Sequence, residues 1–180
     1  VDALCNELGI TVPVAVHADH YGIKGAPDIE QARTEIPSMF AAGITSIAID
    51  ASHLPDDENL LASLELHPYV PAWAGLETEV GEIKGKAGLS TKEEALFLIR
   101  GLNAHGICPD WIALNNGTTH GLEASDAGIQ VDVTAAIHEA LAPYEVSGAQ
   151  HGTSGNSSDR LRAIASQTKT TKANVATALQ

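Results

Sequence analysis

Val14-Ala15-Val16-His17-Ala18-Asp19-His20 is an apolar run that ends abruptly in two imidazoles and a carboxylate. The short, β-branched stretch 11–16 predicts a buried strand. Burying His17, Asp19 and His20 at its end removes water from groups that need partners. Proteins accept that cost mostly where a metal or a reaction uses it.

Outward from this stretch, short apolar runs alternate with helical patterns. Residues 2–8 read as a helix before the first run. A loop with Gly22, Gly25 and Pro27 follows it, then a helix capped by Asp28 and running to residue 42, with Pro37 as a kink. The second run, 44–49, ends at Asp50, and 56–66 is the next helix. The third run, 74–80, carries Glu77 and Glu79 at strand spacing, so both lie on one face. After a glycine-rich loop, Ser90 caps a helix over 91–104. The fourth run, 111–114, meets Asn115-Asn116-Gly117-Thr118-Thr119-His120-Gly121, and 131–141 is helical. The fifth run, 144–149, stops at His151-Gly152-Thr153-Ser154-Gly155, which launches a helix over 157–166. The sixth run, 172–175, contains Asn174. Six strand–helix units predict an α/β protein with a parallel sheet. Nearly every run ends in a polar residue, and the carboxyl ends of the strands are where barrels and open α/β sheets place their sites.

Composition sets outer bounds. The chain has 180 residues, 44% hydrophobic and 18% charged, ordinary for a globular domain. A formal net charge of −13 argues against nucleic acid or an anionic membrane as partner. Cys5 and Cys108 are the two cysteines, so a reducing cytoplasm is the default location. No run approaches the roughly 20 apolar residues of a membrane span.

His20, His120 and His151 each follow a separate strand and could converge above the sheet. Catalytic zinc usually takes three protein ligands and keeps one position open. Asp19, Asp50 and Glu79 lie beside them, which points to a metal site. His53, His67, His105 and His138 fall in helices or turns and read as exposed or locally bonded. Gly152-Thr153-Ser154-Gly155 before a helix is a second signal, because glycine-rich turns at helix N-termini cradle phosphate. Neither a Walker sequence nor Gly-x-Gly-x-x-Gly is present, which disfavours a nucleotide.

Six motifs carry a family resemblance: His17-Ala18-Asp19-His20, Ile49-Asp50-Ala51-Ser52-His53-Leu54-Pro55, Leu76-Glu77-Thr78-Glu79-Val80-Gly81, Gly117-Thr118-Thr119-His120-Gly121, His151-Gly152-Thr153-Ser154-Gly155 and Lys172-Ala173-Asn174-Val175. In this order they resemble class II fructose-bisphosphate aldolases. The resemblance implies a TIM barrel and a divalent metal, usually zinc, held by His20, His120 and His151, with Glu79 as an alternative ligand. It implies Asp19 as the proton-transfer residue and Asp50 as support. Gly121, Gly152, Ser154, Asn174 and Thr177 would grip a phosphorylated sugar. A monovalent cation and a homo-oligomer, dimer or tetramer, are further expectations of the resemblance. The expected reaction is cleavage or formation of the C3–C4 bond of a ketose bisphosphate, fructose 1,6-bisphosphate giving dihydroxyacetone phosphate and glyceraldehyde 3-phosphate.

Three positions depart from the family. It carries an acid on the loop after Gly81, where this chain has Lys86 or Ala87, leaving Glu82 as the acid nearby. Thr153 stands where the family prefers glycine, and Ala178 where it usually places an acid. The alternatives are therefore an aldolase for tagatose bisphosphate or another phosphorylated ketose, or a non-catalytic metal- and phosphate-binding relative. A complete (β/α)8 barrel takes about 250 residues. The six units align with strands three through eight, and the chain opens at Val1 inside a helix. Residues 1–180 are accordingly expected to be a single, N-terminally incomplete barrel domain whose first and last strands flank a gap.

Overall fold

The elements follow one another as α1 (Asp2–Glu7), β1 (His17–Gly22), α2 (Ala26–Ala41), β2 (Ser46–Asp50), α3 (Asp56–Leu66), β3 (Gly75–Val80), α4 (Lys92–Ala104), β4 (Trp111–Leu114), α5 (Val131–Ala140), β5 (Ser147–Gln150), α6 (Ser158–Gln167) and β6 (Thr170–Ala173). The structure is a computed structural model and describes residues 1–81, 88–117 and 128–175. All five strand pairings are parallel, and the sheet order is β1-β2-β3-β4-β5-β6. Each strand pairs with the next in sequence after a helical crossover. This is six-stranded partial TIM-barrel architecture, as the family resemblance implies, and the parallel sheet is the one the alternating runs predict.

Strand parity separates packing from chemistry. On β3, Leu76 and Val80 join the apolar core with Ile47 and Ile49 of β2 and Ile112 and Leu114 of β4. Ala32, Ile36 and Phe40 of α2, Ala62 and Leu66 of α3, and Leu98, Ile99 and Leu102 of α4 cover them. Glu77 and Glu79 alternate with those residues and therefore point to the inner face, where both are buried. Gly75 opens the same strand because a Cβ there would lie 2.9 Å from the Trp111 ring and 3.0 Å from Ser46 Cβ.

The first strand is displaced from its expected place. Residues 11–16 form no strand, and β1 begins at His17. Pro13 lacks the N–H a ladder needs, and Val12 and Val14 lie exposed rather than buried. The histidines and Asp19 consequently belong to the strand itself, not to the loop after it. Caps shift too. Gly25, not Asp28, is the N-cap of α2, while the Asp28 carboxylate accepts from Lys24 N at 2.7 Å. Thr91 caps α4 in a capping box with Glu94. Ser90 instead donates to the Val80 carbonyl and accepts from Asn115 N. His138 lies in a helix, as expected, but is neither exposed nor locally bonded: it is buried on α5 against Gly148, and its Nδ1 accepts from the distant Lys169 N.

β1 and β6 are the two ends of the sheet and do not pair with each other. They flank a gap in the backbone ladder, as expected. Both carry an irregularity. Between Ala18 and Tyr21, β1 advances three residues while β2 advances two, from Ile47 to Ile49. Between Thr170 and Lys172, β6 advances two while β5 advances one. Such bulges re-aim side chains. No helix of the described residues is long and apolar enough to cross a membrane.

Candidate metal centre

The bulge in β1 is what gathers the polar residues. In a regular strand Asp19 and His20 would face opposite sides. His20 adopts φ +49°, a conformation uncommon outside glycine, and the extra residue turns both side chains inward. His20 Nδ1 lies 3.1 Å from Asp50 Oδ2 and 3.3 Å from Glu79 Oε2. Its ring meets that of His151, just past β5, with centroids 4.4 Å apart and planes at 79°. Asp19 is half-exposed, and the Asn174 amide donates to both its oxygens at 2.9 and 3.0 Å. Side chains thus span the gap that the backbone leaves open.

A second layer lies deeper. Glu77, fully buried, accepts from His151 Nε2 at 2.7 Å and from the Lys172 ammonium. The ammonium also lies 2.9 Å from His17 Nε2, and His17 Nδ1 is 2.8 Å from the Ser46 hydroxyl.

These contacts set the charges. Hydrogen bonds to Asp50 and then to Glu79 push His20 up to about 10. Burial pushes the Asp50 carboxyl up, but His20 and Ser52 outweigh it and hold the acid below its ordinary value. The same balance, struck by His151 and Lys172, keeps Glu77 ionised. Burial, with Asp50 beside it, raises Glu79. Burial and the Lys172 charge lower His17.

Three overlapping trios bring potential ligand atoms within 4.8 Å of one another: Asp19-His20-His151, His20-Asp50-Glu79 and His17-Asp19-Glu77. Imidazole nitrogens with carboxylate oxygens suit a borderline divalent ion such as zinc. The first two trios share His20 and fit such an ion. The third already holds the Lys172 ammonium between His17 and Glu77.

Of the residues singled out from sequence, Asp19, His20, Asp50, Glu79, His151 and Asn174 come together. Gly152 and Ser154 lie in the adjoining loop, where Gly152 and Gly155 have φ +60° and +84°. Buried Thr153 donates its hydroxyl to the Asn174 carbonyl, tying this loop to the end of β6. Glu82, His120, Gly121 and Thr177 lie outside the described residues. Glu77 and Lys172 have no role assigned to them from sequence, and His17, singled out there with Asp19 and His20, contacts Lys172. For Glu77 a signal existed, since its spacing from Glu79 puts both on one face.

A parallel barrel segment whose strands deliver imidazoles and carboxylates to one inner face defines a (β/α)-barrel protein with a metal-capable centre. Residues 1–180 match the family described as Fructose-bisphosphate aldolase class-II. The chain belongs to that family, whose members are metal-dependent aldolases. It is 32% identical over 169 residues to the fructose-bisphosphate aldolase of Streptococcus pneumoniae serotype 4, covering 89% of this chain and 52% of that protein. The Mycoplasma pneumoniae fructose-bisphosphate aldolase is 32% identical over 143 residues, 78% of this chain and 46% of that protein. The chain therefore spans about half the length of these curated relatives. Among solved structures, the YdjI aldolase of Escherichia coli K12 superimposes with a TM-score of 0.67 at 22% identity, over 98% of this chain and 57% of that one. That likeness bears on the fold alone.

Proposed function

We propose that this chain carries the metal centre of a class II aldolase that cleaves or forms the C3–C4 bond of a ketose bisphosphate, with fructose 1,6-bisphosphate as the leading substrate. The observation that carries the reading is the β1 bulge, which sets the half-exposed Asp19 beside buried-side His20. One residue is offered to substrate and its neighbour to a metal.

His20 and His151 would hold zinc, with His120 as the third ligand and Glu79 as the alternative. A bound divalent cation would supply Lewis-acid stabilisation for the negative charge that develops as the bond breaks. Asp19 takes the C4 hydroxyl proton in cleavage and returns it in synthesis. Asn174 orients that carboxylate through its two contacts. Asp50, fixed by Ser52, holds the Nδ1 side of His20. The loop Gly152 to Gly155 and the start of α6 would receive a phosphate, with Ser154, Gly121 and Thr177 beside it. Glu82 is the acid proposed for the second proton transfer. Two further strands would close the barrel between β6 and β1, and the assembly would be a homo-oligomer.

A second reading, metal and phosphate binding without turnover, is favoured by Lys86 and Ala87 standing where the family carries its loop acid. A panel of ketose phosphates, assayed at full length before and after chelation, separates the two. Cleavage that disappears with chelator and returns with Zn2+ supports the aldolase. Phosphate-sugar binding without cleavage supports the second reading.

A further inference from the structure

The contacts His17–Lys172–Glu77–His151 link the edge strands β1 and β6 directly and lead on through buried Glu77 of β3 to the loop after β5, and no step above uses His17, Lys172 or Glu77. Its protons can be assigned by elimination. A lysine ammonium only donates, so His17 Nε2, 2.9 Å away, must accept. The His17 proton therefore sits on Nδ1 and is donated to Ser46 at 2.8 Å. Glu77 is acceptor to two donors: one oxygen takes the ammonium, the other takes His151 Nε2–H. With Nε2–H given to Glu77, a neutral His151 ring carries its lone pair on Nδ1.

We propose that Lys172 and Glu77 are positioning residues: the ammonium fixes the Glu77 carboxylate, and the carboxylate fixes His151 as the Nε2–H tautomer, ready to give Nδ1 to a metal. The inference rests on the metal reading of His151 given above. Carboxylates behind ligand histidines orient the ring and raise its basicity, and their loss typically weakens metal binding 10- to 100-fold, an order-of-magnitude range. The ammonium has a further consequence. It stands within the His17-Asp19-Glu77 trio, so an external cation is left the His20 side of the centre.

The network makes an unusual double-substitution prediction. In Glu77→Gln the amide can satisfy only one neighbour correctly. The ammonium demands the amide oxygen, so the NH2 group meets His151 Nε2 and forces it to accept. The His151 proton then moves to Nδ1. Adding Lys172→Met removes that demand, lets the amide turn over and restores the Nε2–H tautomer.

Long-range proton–nitrogen NMR of the metal-free full-length protein reads the tautomers, and competition with a chromophoric chelator reads Zn2+ affinity. The expected results are Nε2–H for His151 and Nδ1–H for His17. Glu77→Gln should switch His151 and weaken Zn2+ binding roughly 10- to 100-fold, and adding Lys172→Met should recover most of that loss. An Nδ1–H tautomer for His151 in the unsubstituted protein overturns the proposal. So does a double variant that binds Zn2+ more weakly than Glu77→Gln alone. If Glu77→Gln fails to fold by circular dichroism, Glu77→Asp decides: a carboxylate shortened by one methylene should no longer hold His151, and an unchanged Zn2+ affinity would overturn the proposal. Zn2+ affinity unmoved by His20→Ala would sink the metal reading instead, while the tautomer assignments would still stand or fall by NMR.

Discussion

Asp19 and His20 are adjacent in sequence but are assigned different work, and substitution should separate them. Asp19→Ala should lower turnover by about 10² to 10⁴, the usual contribution of a general acid–base group, with bound metal unchanged by elemental analysis. His20→Ala should lose metal first and activity with it. Equal loss of both in Asp19→Ala would make Asp19 structural. The residue types of this pair were legible in the sequence, because imidazole and carboxylate at an apolar run's end are costly without purpose. Their orientation was not, since it depends on a one-residue bulge and a φ of +49° at His20. Lys172 was illegible because its contact with Glu77 joins β6 to β3, 95 positions apart in sequence. His138 gives a pH test away from the site. It is buried, and Nδ1 accepts from Lys169 N at 3.2 Å. Burial, with the Lys169 charge, lowers it from 6.5 to about 4. The folded value lies below the unfolded one, so its contribution is complete above 6.5 and is lost as pH falls from there toward 4. Urea titrations should show about 2 kcal/mol less stability at pH 5 than at pH 7 from this group. His138→Gln should flatten that part of the profile; an unchanged slope would assign the loss elsewhere.

At the scale of elements, helices were read well and strand limits less so. Asp56–Leu66 and Trp111–Leu114 match their expected limits. β1 begins six residues beyond its expected start (17 against 11) because Pro13 interrupts the β-branched run, and the exposed Val12 and Val14 show hydrophobic content without burial. β5 starts late as well, after Glu145 takes a left-handed φ of +56°, a turn its residue type does not announce. Caps are testable pieces of this reading. Thr91→Ala removes the capping box of α4 and should cost about 1 kcal/mol, seen as a lower urea midpoint at constant slope. Ser90→Ala should act differently. It releases the link between the Val80 carbonyl and Asn115 N at the carboxyl ends of β3 and β4. A larger loss for Thr91→Ala at the site than for Ser90→Ala would contradict the assignment of the cap. Gly148→Ala sets a Cβ 2.2 Å from the His138 ring, and should cost about 1–3 kcal/mol as overpacking.

For the whole molecule, the alternation of apolar runs and helices is enough to predict a parallel α/β sheet, and five in-order parallel pairings bear it out. Parity along each strand then divides an apolar helix-facing side from a polar inner side without any further instruction. What could not be read is the way the two edges meet. β1 and β6 share no ladder, yet Lys172 reaches His17 and Asn174 reaches Asp19, each pair 155 positions apart in sequence. Long-range side-chain contacts of this kind depend on curvature of the sheet, which no local pattern encodes. They also make the metal centre a property of the assembled sheet rather than of any one motif. In the proposed centre His20 and His151 hold one ion between them. A crystal of the full-length protein grown with Zn2+, with data collected on both sides of the zinc edge, tests it directly. An anomalous peak is expected roughly 2.0–2.1 Å from a nitrogen of each ring. A peak away from both histidines, or none at saturating Zn2+, would contradict it.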